Sequence, residues 1–394
     1  MRDRQSVFIS KSPSTTQRNA VKLKKLVVFG VKTFPSQGGT DRVAENLVMQ
    51  LKDRFDIRLY CYKNPVESQH IAGVEIVRFR PLFDGAAGAL FYFLQSALHI
   101  LFSGKRIDLV HVHKTDSALF IPLLKLRAKV IATSHEAPYK RDKWNGFMKL
   151  YFKWVEKIFI TSSDVCTCIS QPLTDYYKKK YKRDVIFIPN GINPVSAESF
   201  DLEKAKTFLP PGVLLERPFI LFSARRIMKT KGCHTMLEAL VKIGYTGQVL
   251  IAGELTHNEE YLRQLREIGK PLNMHFIGFV NPLNALLALV ERAELFIFPS
   301  ETEGMSIMLL EVASVGKPII ASDIPENTQV FSNNEVLYFK VSNSDDLAEK
   351  IRHALNDRNA MTSMGQKCQN KVYQDYVWKN IAHAYADTYS TLIQ

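Results

Sequence analysis

The sequence predicts an α/β fold of two tandem Rossmann-like, doubly wound domains that face each other across a cleft. Three observations support this prediction. A chain of 394 residues is too long for one ordinary hydrophobic core. Short runs of β-branched and aromatic residues alternate with helical patterns along the chain. The alternation pauses near residues 190–215, where proline and glycine cluster, and then restarts.

The first domain is predicted to span residues 24–196. Its strands are short apolar runs, as expected of parallel strands that are buried on both faces. A helix is predicted at residues 40–51, after the first strand. Residues 1–23 are polar and basic without a long apolar run, so we expect a mobile basic tail rather than a signal peptide. The predicted strands are residues 25–30, 56–62, 74–79, 107–113, 128–135, 164–170 and 184–191.

The second domain is predicted to span residues 197–376, with the same topology but no close sequence repeat. A final helix at residues 377–394 begins after the second sheet is complete, and we expect it to pack back on the first domain. Ligands of such sheets bind beyond the carboxyl ends of the strands, so the two domains would enclose the binding cleft. The predicted strands are residues 218–224, 248–254, 274–280, 294–300, 318–322 and 335–340.

The bulk composition restricts the class of protein and its partners. Contents of 46% apolar and 23% charged residues are typical of a folded globular chain. The formal net charge of +13 favours an anionic partner, which would be a nucleotide, a nucleic acid or an acidic membrane. Five cysteines without a C-x-x-C pair indicate a reducing, cytoplasmic location. The most apolar stretch, residues 89–102, is shorter than the ~20 residues that a bilayer needs, and indicates a buried or interfacial helix.

The sequence ETEGMSIMLLE at residues 301–311 follows a predicted strand and opens a helix. Glu303 and Glu311 flank an apolar run, and Gly304 permits a tight turn before amide groups that can bind an anion. A helix would separate the two carboxylates by ~12 Å, so they suit two parts of one long ligand rather than a shared proton or metal. The alternative is an acid at a helix N-terminus followed by a solvated glutamate.

Two further loops contain groups that suit a phosphate ligand. Arg226 and Lys231 lie on either side of a turn after a predicted strand, and two cations there suit a diphosphate. Gly38 and Gly39 precede a predicted helix, where glycines let a phosphate or sugar approach the backbone. The alternatives are solvated surface cations and a plain turn. The sequence lacks a G-x-G-x-x-G fingerprint here, which disfavours a nicotinamide-dependent oxidoreductase.

Three histidines end two of the predicted strands. His111 and His113 are two residues apart and could bind a metal, but no nearby cysteine or acid completes a convincing site. His135 ends the next strand and would face the cleft. A structural histidine with satisfied hydrogen bonds is an equally good interpretation of His135. We therefore predict no metal site.

The segment of residues 139–184 is basic and aromatic. It contains eleven Lys or Arg and five Asp or Glu, which gives a net charge of +6. Aromatic residues recur there at helical spacing between lysines, which would suit a membrane surface with acidic lipid. Core aromatics with solvated lysines on the opposite face are the alternative, and nucleic acid is disfavoured because no binding motif is present. The aromatic residues are Trp144, Phe147, Tyr151 and Trp154.

Several motifs, taken together, resemble those of one enzyme family. They are FPSQGGTDRVAENL at 34–47, IATSHE at 131–136, IPNGI at 188–192, RIMKTKG at 226–232, IAGE at 251–254 and the run at 294–329. With them, nearly the whole chain from about residue 24 resembles a family 4 retaining glycosyltransferase with the GT-B fold. The first of these loops also resembles a branch that includes rhamnosyltransferases of polysaccharide synthesis. The sequence departs from the family pattern at Met305 and Ser306, where E-G-F-G is common, and at Arg225, where glycine is usual.

The resemblance implies a role for each candidate residue. Glu303 and His135 are the catalytic candidates: Glu303 would contact the donor sugar near the reacting carbon, and His135 would face the sugar. Glu311 would bind the ribose hydroxyls of a nucleotide-sugar donor. Arg226 and Lys231 would neutralise the diphosphate, so no metal or other cofactor would be needed. Further donor contacts would come from Gly38, Gly39, Met305, Ser306 and Ile307.

The resemblance also implies an activity. The enzyme would move a sugar from a nucleoside diphosphate sugar to a hydroxyl of a glycan or lipid-linked acceptor, with retention, in polysaccharide or glycoconjugate synthesis. It would be cytoplasmic, and the basic segment would allow peripheral attachment to an anionic membrane surface. Two alternatives stay open. One is a sugar-nucleotide epimerase or hydrolase on the same fold, and the other is a non-catalytic nucleotide-binding partner subunit.

Overall fold

The chain forms two parallel α/β domains in the computed structural model. The structure describes residues 23–36, 38–62, 71–80, 82–83, 85–137, 146–255 and 258–394. The predicted mobile tail lies outside the described residues, apart from Leu23. The fold class predicted from the sequence is confirmed, since each domain has one twisted parallel sheet with helices on its two faces.

The first domain contains seven parallel strands, and each corresponds to a predicted one. They are β1 (Lys24–Phe29), β2 (Phe55–Tyr62), β3 (Val74–Phe79), β4 (Leu109–Val112), β5 (Lys129–Ser134), β6 (Val165–Cys168) and β7 (Ile186–Phe187). Their order in the sheet is β3-β2-β1-β4-β5-β6-β7. The order in which successive strands are added to the sheet reverses between β1 and β4, which is where a doubly wound sheet opens its ligand crevice.

The second domain contains six parallel strands, again as predicted. They are β8 (Phe219–Arg226), β9 (Gln248–Glu254), β10 (Asn273–Gly278), β11 (Leu295–Phe298), β12 (Ile319–Ser322) and β13 (Leu337–Phe339). Their order is β10-β9-β8-β11-β12-β13, so the corresponding reversal lies between β8 and β11. The loops after β8 and β11, which contain Lys231 and Glu303, therefore lie side by side at the crevice.

Helices cover both faces of each sheet. In the first domain they are α1 (Gly39–Leu51), α2 (Gly85–Phe102), α3 (Ile121–Leu124), α4 (Gly146–Ser162) and α5 (Gln171–Tyr181). Those of the second domain are α6 (Leu202–Lys206), α7 (Cys233–Ile243), α8 (Glu259–Ile268), α9 (Leu283–Arg292), α10 (Ile307–Ala313), α11 (Pro325–Thr328), α12 (Ser344–Asn356) and α13 (Arg358–Asp375). The last helix is α14 (Trp378–Leu392).

The last helix packs on the first domain. Trp378, Ile381, Tyr385 and Tyr389 are buried in one apolar cluster with residues of β1, β2 and α1. The chain crosses between the domains twice, and the two crossings run side by side: the Ile192 amide donates to the Tyr376 carbonyl at 2.8 Å, and the Trp378 amide donates to the Ile192 carbonyl at 2.9 Å. The first domain is therefore completed by α14, which follows the second domain in the sequence.

The helix α2 is uncharged over its 18 residues, and it is one of the most apolar surface elements. It is the one described helix that is long and apolar enough to cross a membrane by length and composition, a test that core helices also pass. One face packs on the sheet through residues such as Tyr92 and Phe93. The opposite face is exposed and presents Leu90, Leu94 and Leu98.

Candidate active site

The loop between β11 and α10 reaches across the cleft to the first domain. A Cβ atom placed on Gly304 would lie 2.2 Å from the backbone oxygen of His135, so only glycine fits at this approach. Next to it, the Asn190 side chain donates to the Met305 carbonyl oxygen at 3.0 Å. The structure thus brings Gly304 and Met305 of the second domain against the first. Gly304 meets His135, and Met305 meets Asn190, which lies where the chain leaves the first domain.

The predicted cation Lys231 and the predicted acid Glu303 form a pair. The Lys231 Nζ atom lies 2.7 Å from the Glu303 carboxylate, and both side chains are more than two-thirds buried. Lys231 ends a 3₁₀ turn after β8, and the next residue, Gly232, has φ +69° and packs so closely on Pro299 that a Cβ would lie 1.9 Å from its carbonyl oxygen. This contact fixes the turn that holds the ammonium group beside the carboxylate.

Arg226 lies at the end of β8 but pairs with a different acid. Its Nε atom is 3.5 Å from the Glu254 carboxylate at the end of β9, and its side chain is half-exposed. The neighbouring Arg225 approaches the other Glu254 oxygen at 3.4 Å and stacks on the Phe279 ring. The structure therefore places Arg226 at the same sheet edge as Lys231, with an exposed guanidinium that a diphosphate could reach.

Glu311 is buried and paired with a residue that the sequence analysis does not single out. Its carboxylate accepts hydrogen bonds from both terminal nitrogens of Arg42, on helix α1 of the first domain. Burial raises the pKa of the Glu311 carboxyl, and the Arg42 charge opposes that rise. The signal in the sequence was an arginine one turn after the Gly38–Gly39 pair, but a contact 269 positions away in the chain cannot be inferred from it.

Ser306 caps the helix α10. The Ser306 hydroxyl accepts a hydrogen bond from the Leu309 amide at 3.3 Å, so the first helical residue is Ile307. The Ile307 side chain packs against the apolar cluster of the first domain. Ser306, which departs from the family pattern, thus has a structural function at this position. Whether the amides of Met305, Ser306 and Ile307 contact a donor stays a prediction.

The Gly38–Gly39 loop is held by a buried acid that the sequence analysis did not identify. The Asp41 carboxylate accepts from the Lys32 amide at 3.1 Å and the Thr33 amide at 3.2 Å, and pairs with Lys114 at 2.9 Å. Gly38 is the N-cap of α1, and a Cβ placed on Gly39 would meet no atom within 4 Å. The start of α1 thus has open space in front of Gly39.

The three histidines form a stack that leads to the cleft. The His111 and His113 rings lie 3.9 Å apart, and His113 Nδ1 lies 3.4 Å from His135 Nε2. Burial, together with the Lys114 charge, lowers the pKa of His135 to about 3, so the ring is neutral near pH 7. His111 is held between Thr133 and Tyr389 and is structural. No group of three or more possible metal ligands occurs within the described ranges.

A small cavity of about 60 Å³ lies at the floor of the cleft. Helices α1, α9, α10 and α14 and the first crossing between the domains enclose it. Its walls are mostly apolar, with the Arg42–Glu311 pair on one side.

Comparison with known families agrees with this architecture. The model "Glycosyltransferase Family 4" matches residues 37–195, and the model "Glycosyl transferases group 1" matches residues 206–371. Among solved structures, sucrose-phosphate synthase from Thermosynechococcus elongatus has a TM-score of 0.76 at 19% identity, covering 94% of this chain and 99% of that one. HepE of Anabaena in complex with UDP has a TM-score of 0.74 at 15% identity, covering 94% and 100%. These two likenesses concern the fold alone.

Two curated relatives match this chain over nearly their full length. Alpha-maltose-1-phosphate synthase of Mycolicibacterium smegmatis is 22% identical, over 92% of this chain and 98% of that protein. UDP-Gal:alpha-D-GlcNAc-diphosphoundecaprenol alpha-1,3-galactosyltransferase of Escherichia coli is 22% identical, over 89% and 93%. The two family models meet near the boundary between the two domains and together cover most of the chain. The protein therefore belongs to the family 4 glycosyltransferases, which have the GT-B fold.

Proposed function

We propose that this glycosyltransferase moves a sugar from a nucleoside diphosphate sugar to a hydroxyl of a glycan or lipid-linked acceptor, with retention of the anomeric configuration. The observation that carries the proposal is the pairing of Lys231 with Glu303 at the crevice. Glu311 lies separately, on the helix α10 that follows Glu303. A cation, an acid close to it and a second, separate acid suit the three parts of such a donor: diphosphate, sugar and ribose.

In this proposal the leaving diphosphate is stabilised by side chains of the second domain. The bond between the anomeric carbon and the diphosphate oxygen breaks while the acceptor oxygen bonds to the same carbon, and the proton of the acceptor hydroxyl passes to the departing diphosphate oxygen. Lys231 and Arg226 offset the negative charge that grows on the diphosphate, a function that a metal ion serves in other transferases. Glu303 is close enough to Lys231 to contact the sugar next to that diphosphate. His135 is neutral near pH 7, so its ring can either accept a hydrogen bond from a sugar hydroxyl or donate one to it.

The acceptor class is proposed from the relatives. The Escherichia coli protein is named for a diphosphoundecaprenol acceptor, and another, 25% identical over 64% of each chain, is a Campylobacter jejuni transferase named for a diphospho-undecaprenol acceptor. A lipid-linked acceptor would be presented at the cytoplasmic face of a membrane. We therefore propose a cytoplasmic enzyme in polysaccharide or glycoconjugate synthesis, with nucleic acid not among its partners.

The test of the activity is turnover of purified protein with a panel of nucleotide sugars and diphospholipid acceptors. We expect a glycosylated acceptor whose new linkage has the anomeric configuration of the donor, as measured by the proton coupling constants in NMR. Consumption of donor at the same rate without any acceptor would instead favour an epimerase or hydrolase. Binding of nucleotide without turnover of any donor would favour a non-catalytic subunit.

Attachment to an anionic membrane is proposed from two neighbouring helices of the first domain. On α4, Leu150 and Trp154 are exposed beside lysines, so this aromatic stripe is not wholly core. On α2, Leu94 and Leu98 are exposed without any charge between them. Apolar side chains flanked by lysines suit the boundary between headgroups and acyl chains. Trp144 and the side chain of Phe147 lie outside the described residues.

We expect Leu98→Glu to weaken binding to anionic vesicles by roughly ten-fold, because a carboxylate replaces an apolar group at the lipid boundary. Co-sedimentation with phosphatidylglycerol vesicles measures this. Leu214→Glu is the matched control, since Leu214 is equally exposed but lies in the second domain. Equal loss of binding in both variants, or binding that does not depend on anionic lipid, would contradict the proposal.

A further inference from the structure

One ion pair joins the two domains within the described part of the chain. Arg42 extends from the second turn of α1, and its two terminal nitrogens donate to the two oxygens of Glu311 on α10, one of them at 3.3 Å. The two other ion pairs described at the cleft, Lys114–Asp41 and Lys231–Glu303, each lie within one domain. The proposed ribose-binding acid of the second domain is thus held by the first.

Among the described residues, the lining of the adjoining cavity offers no second cation to Glu311. Of the residues that line the adjoining cavity, only Arg42 and Glu311 are charged. The nearby amide side chains are engaged elsewhere: Asn46 donates to the Arg42 carbonyl at 2.8 Å, and Asn193 donates to the Asn46 side-chain oxygen at 2.8 Å. The Ser314 hydroxyl donates to the backbone oxygen of Glu311, not to its carboxylate. Removing Arg42 would leave the carboxylate buried without a charged donor.

The pair leaves Glu311 able to bind a ligand. An ionised carboxylate has about four acceptor sites, and the two hydrogen bonds from a guanidinium occupy about two of them. The remaining sites can accept from two neighbouring hydroxyls of a ribose. A protonated carboxyl has lost one of these acceptor sites to a proton and no longer carries the negative charge that strengthens the others. The charge state of Glu311 therefore decides how well it can bind a diol.

We propose that Arg42 is a positioning residue for the donor nucleotide: it keeps the Glu311 carboxylate ionised and oriented from the opposite domain, so that the free acceptor sites bind the ribose hydroxyls. This inference depends on the proposed function, in which Glu311 binds the ribose. It assigns to the first domain a part in nucleotide binding that does not require contact with the nucleotide.

The test compares the pH dependence of nucleotide binding in Arg42→Met and the unsubstituted protein. The probe is the tightest binder among UDP, GDP, ADP and CDP, measured by calorimetry from about pH 6 to about pH 8.5. Without Arg42, burial raises the pKa of Glu311 further, so affinity is retained above that pKa and falls up to about ten-fold per pH unit below it. The ratio of the two dissociation constants removes the titration of the nucleotide's own phosphate.

Three controls separate the possible causes. Arg42→Lys keeps the charge and should restore a flat ratio, while Arg80→Met removes a charge from an exposed site of the first domain and should change nothing. The 2′,3′-dideoxy form of the same nucleotide has no hydroxyl for Glu311, so its ratio should stay flat.

The outcomes are distinguishable. The proposed role of Glu311 is wrong if no nucleoside diphosphate binds. It is also wrong if Glu311→Gln binds the nucleotide as tightly as the unsubstituted protein does, and the dideoxy form binds as tightly as the ordinary nucleotide. If those changes weaken binding but the Arg42→Met ratio is flat with pH, the inference about Arg42 alone is wrong. Tighter binding by Arg42→Met at every pH would also overturn it, since Arg42 would then compete with the ribose.

Discussion

Replacing Lys231 with methionine should lower the rate of sugar transfer by about 10²–10³-fold, because the charge that develops on the leaving diphosphate loses a preorganised cation. Lys231 suits this role because Glu303 and the Gly232 turn fix its ammonium group at the crevice. The measurement is initial-rate kinetics with a saturating acceptor and a varied nucleotide sugar. We expect most of the loss in kcat, since the diphosphate carries more negative charge in the transition state than in the bound donor.

The matched control for this variant is Lys229→Met. Lys229 belongs to the same 3₁₀ turn as Lys231, but its side chain is exposed. Its replacement should leave kcat nearly unchanged. Both variants, Lys229→Met and Lys231→Met, should have the same melting temperature. A Lys231→Met enzyme with the kinetics of the control would remove Lys231 from the proposed mechanism.

Replacing Trp378 with alanine should lower the free energy of unfolding by about 3–5 kcal/mol, the range for large aromatic residues in a core. Trp378 is 1% exposed and lies where the two crossings meet, close enough to Gly191 that a Cβ there would be 3.0 Å from the Trp378 amide nitrogen. Little can collapse into the vacated space, because the backbone on both sides is fixed by hydrogen bonds. Denaturant unfolding measures the change.

Trp154→Ala provides the comparison, since Trp154 is 55% exposed on α4. A surface substitution of this kind should change the free energy of unfolding by no more than about 0.5 kcal/mol. If Trp378→Ala lowers the free energy of unfolding as little as Trp154→Ala does, α14 contributes little to the first domain, contrary to the packing described above.

The sheets could be predicted from the sequence because their strands are buried on both faces. Strands such as Leu109–Val112 and Ile319–Ser322 are wholly apolar or nearly so, and burial on both faces requires that composition. Helix limits were harder to predict. The start of α10 depends on one side-chain hydrogen bond of Ser306, and α13 buries only Met361, Gly365, Cys368 and Val372, too few large apolar residues to give a clear helical pattern.

The candidate site could be predicted only in part, for a similar reason. Local spacing identifies Lys231 and Glu303 because the turns at the ends of adjacent strands determine their positions. The partner of Glu311 lies on the other domain, and the partner of Arg226 is fixed by the register of β8 and β9. Contacts of this kind depend on how the domains face each other, and no pattern within one segment of the sequence encodes that geometry.

The packing of α14 on the first domain has a consequence for synthesis on the ribosome. The strands β1 and β4 emerge early, but the surface covered by Trp378, Tyr385 and Tyr389 stays open until α14 is translated. At ordinary rates of elongation, the stretch from Ile192 to Val377 takes roughly 10 to 40 s to make. During that interval the nascent first domain exposes an apolar face to chaperones. A chain that stops before α14 should therefore aggregate rather than yield a shorter enzyme.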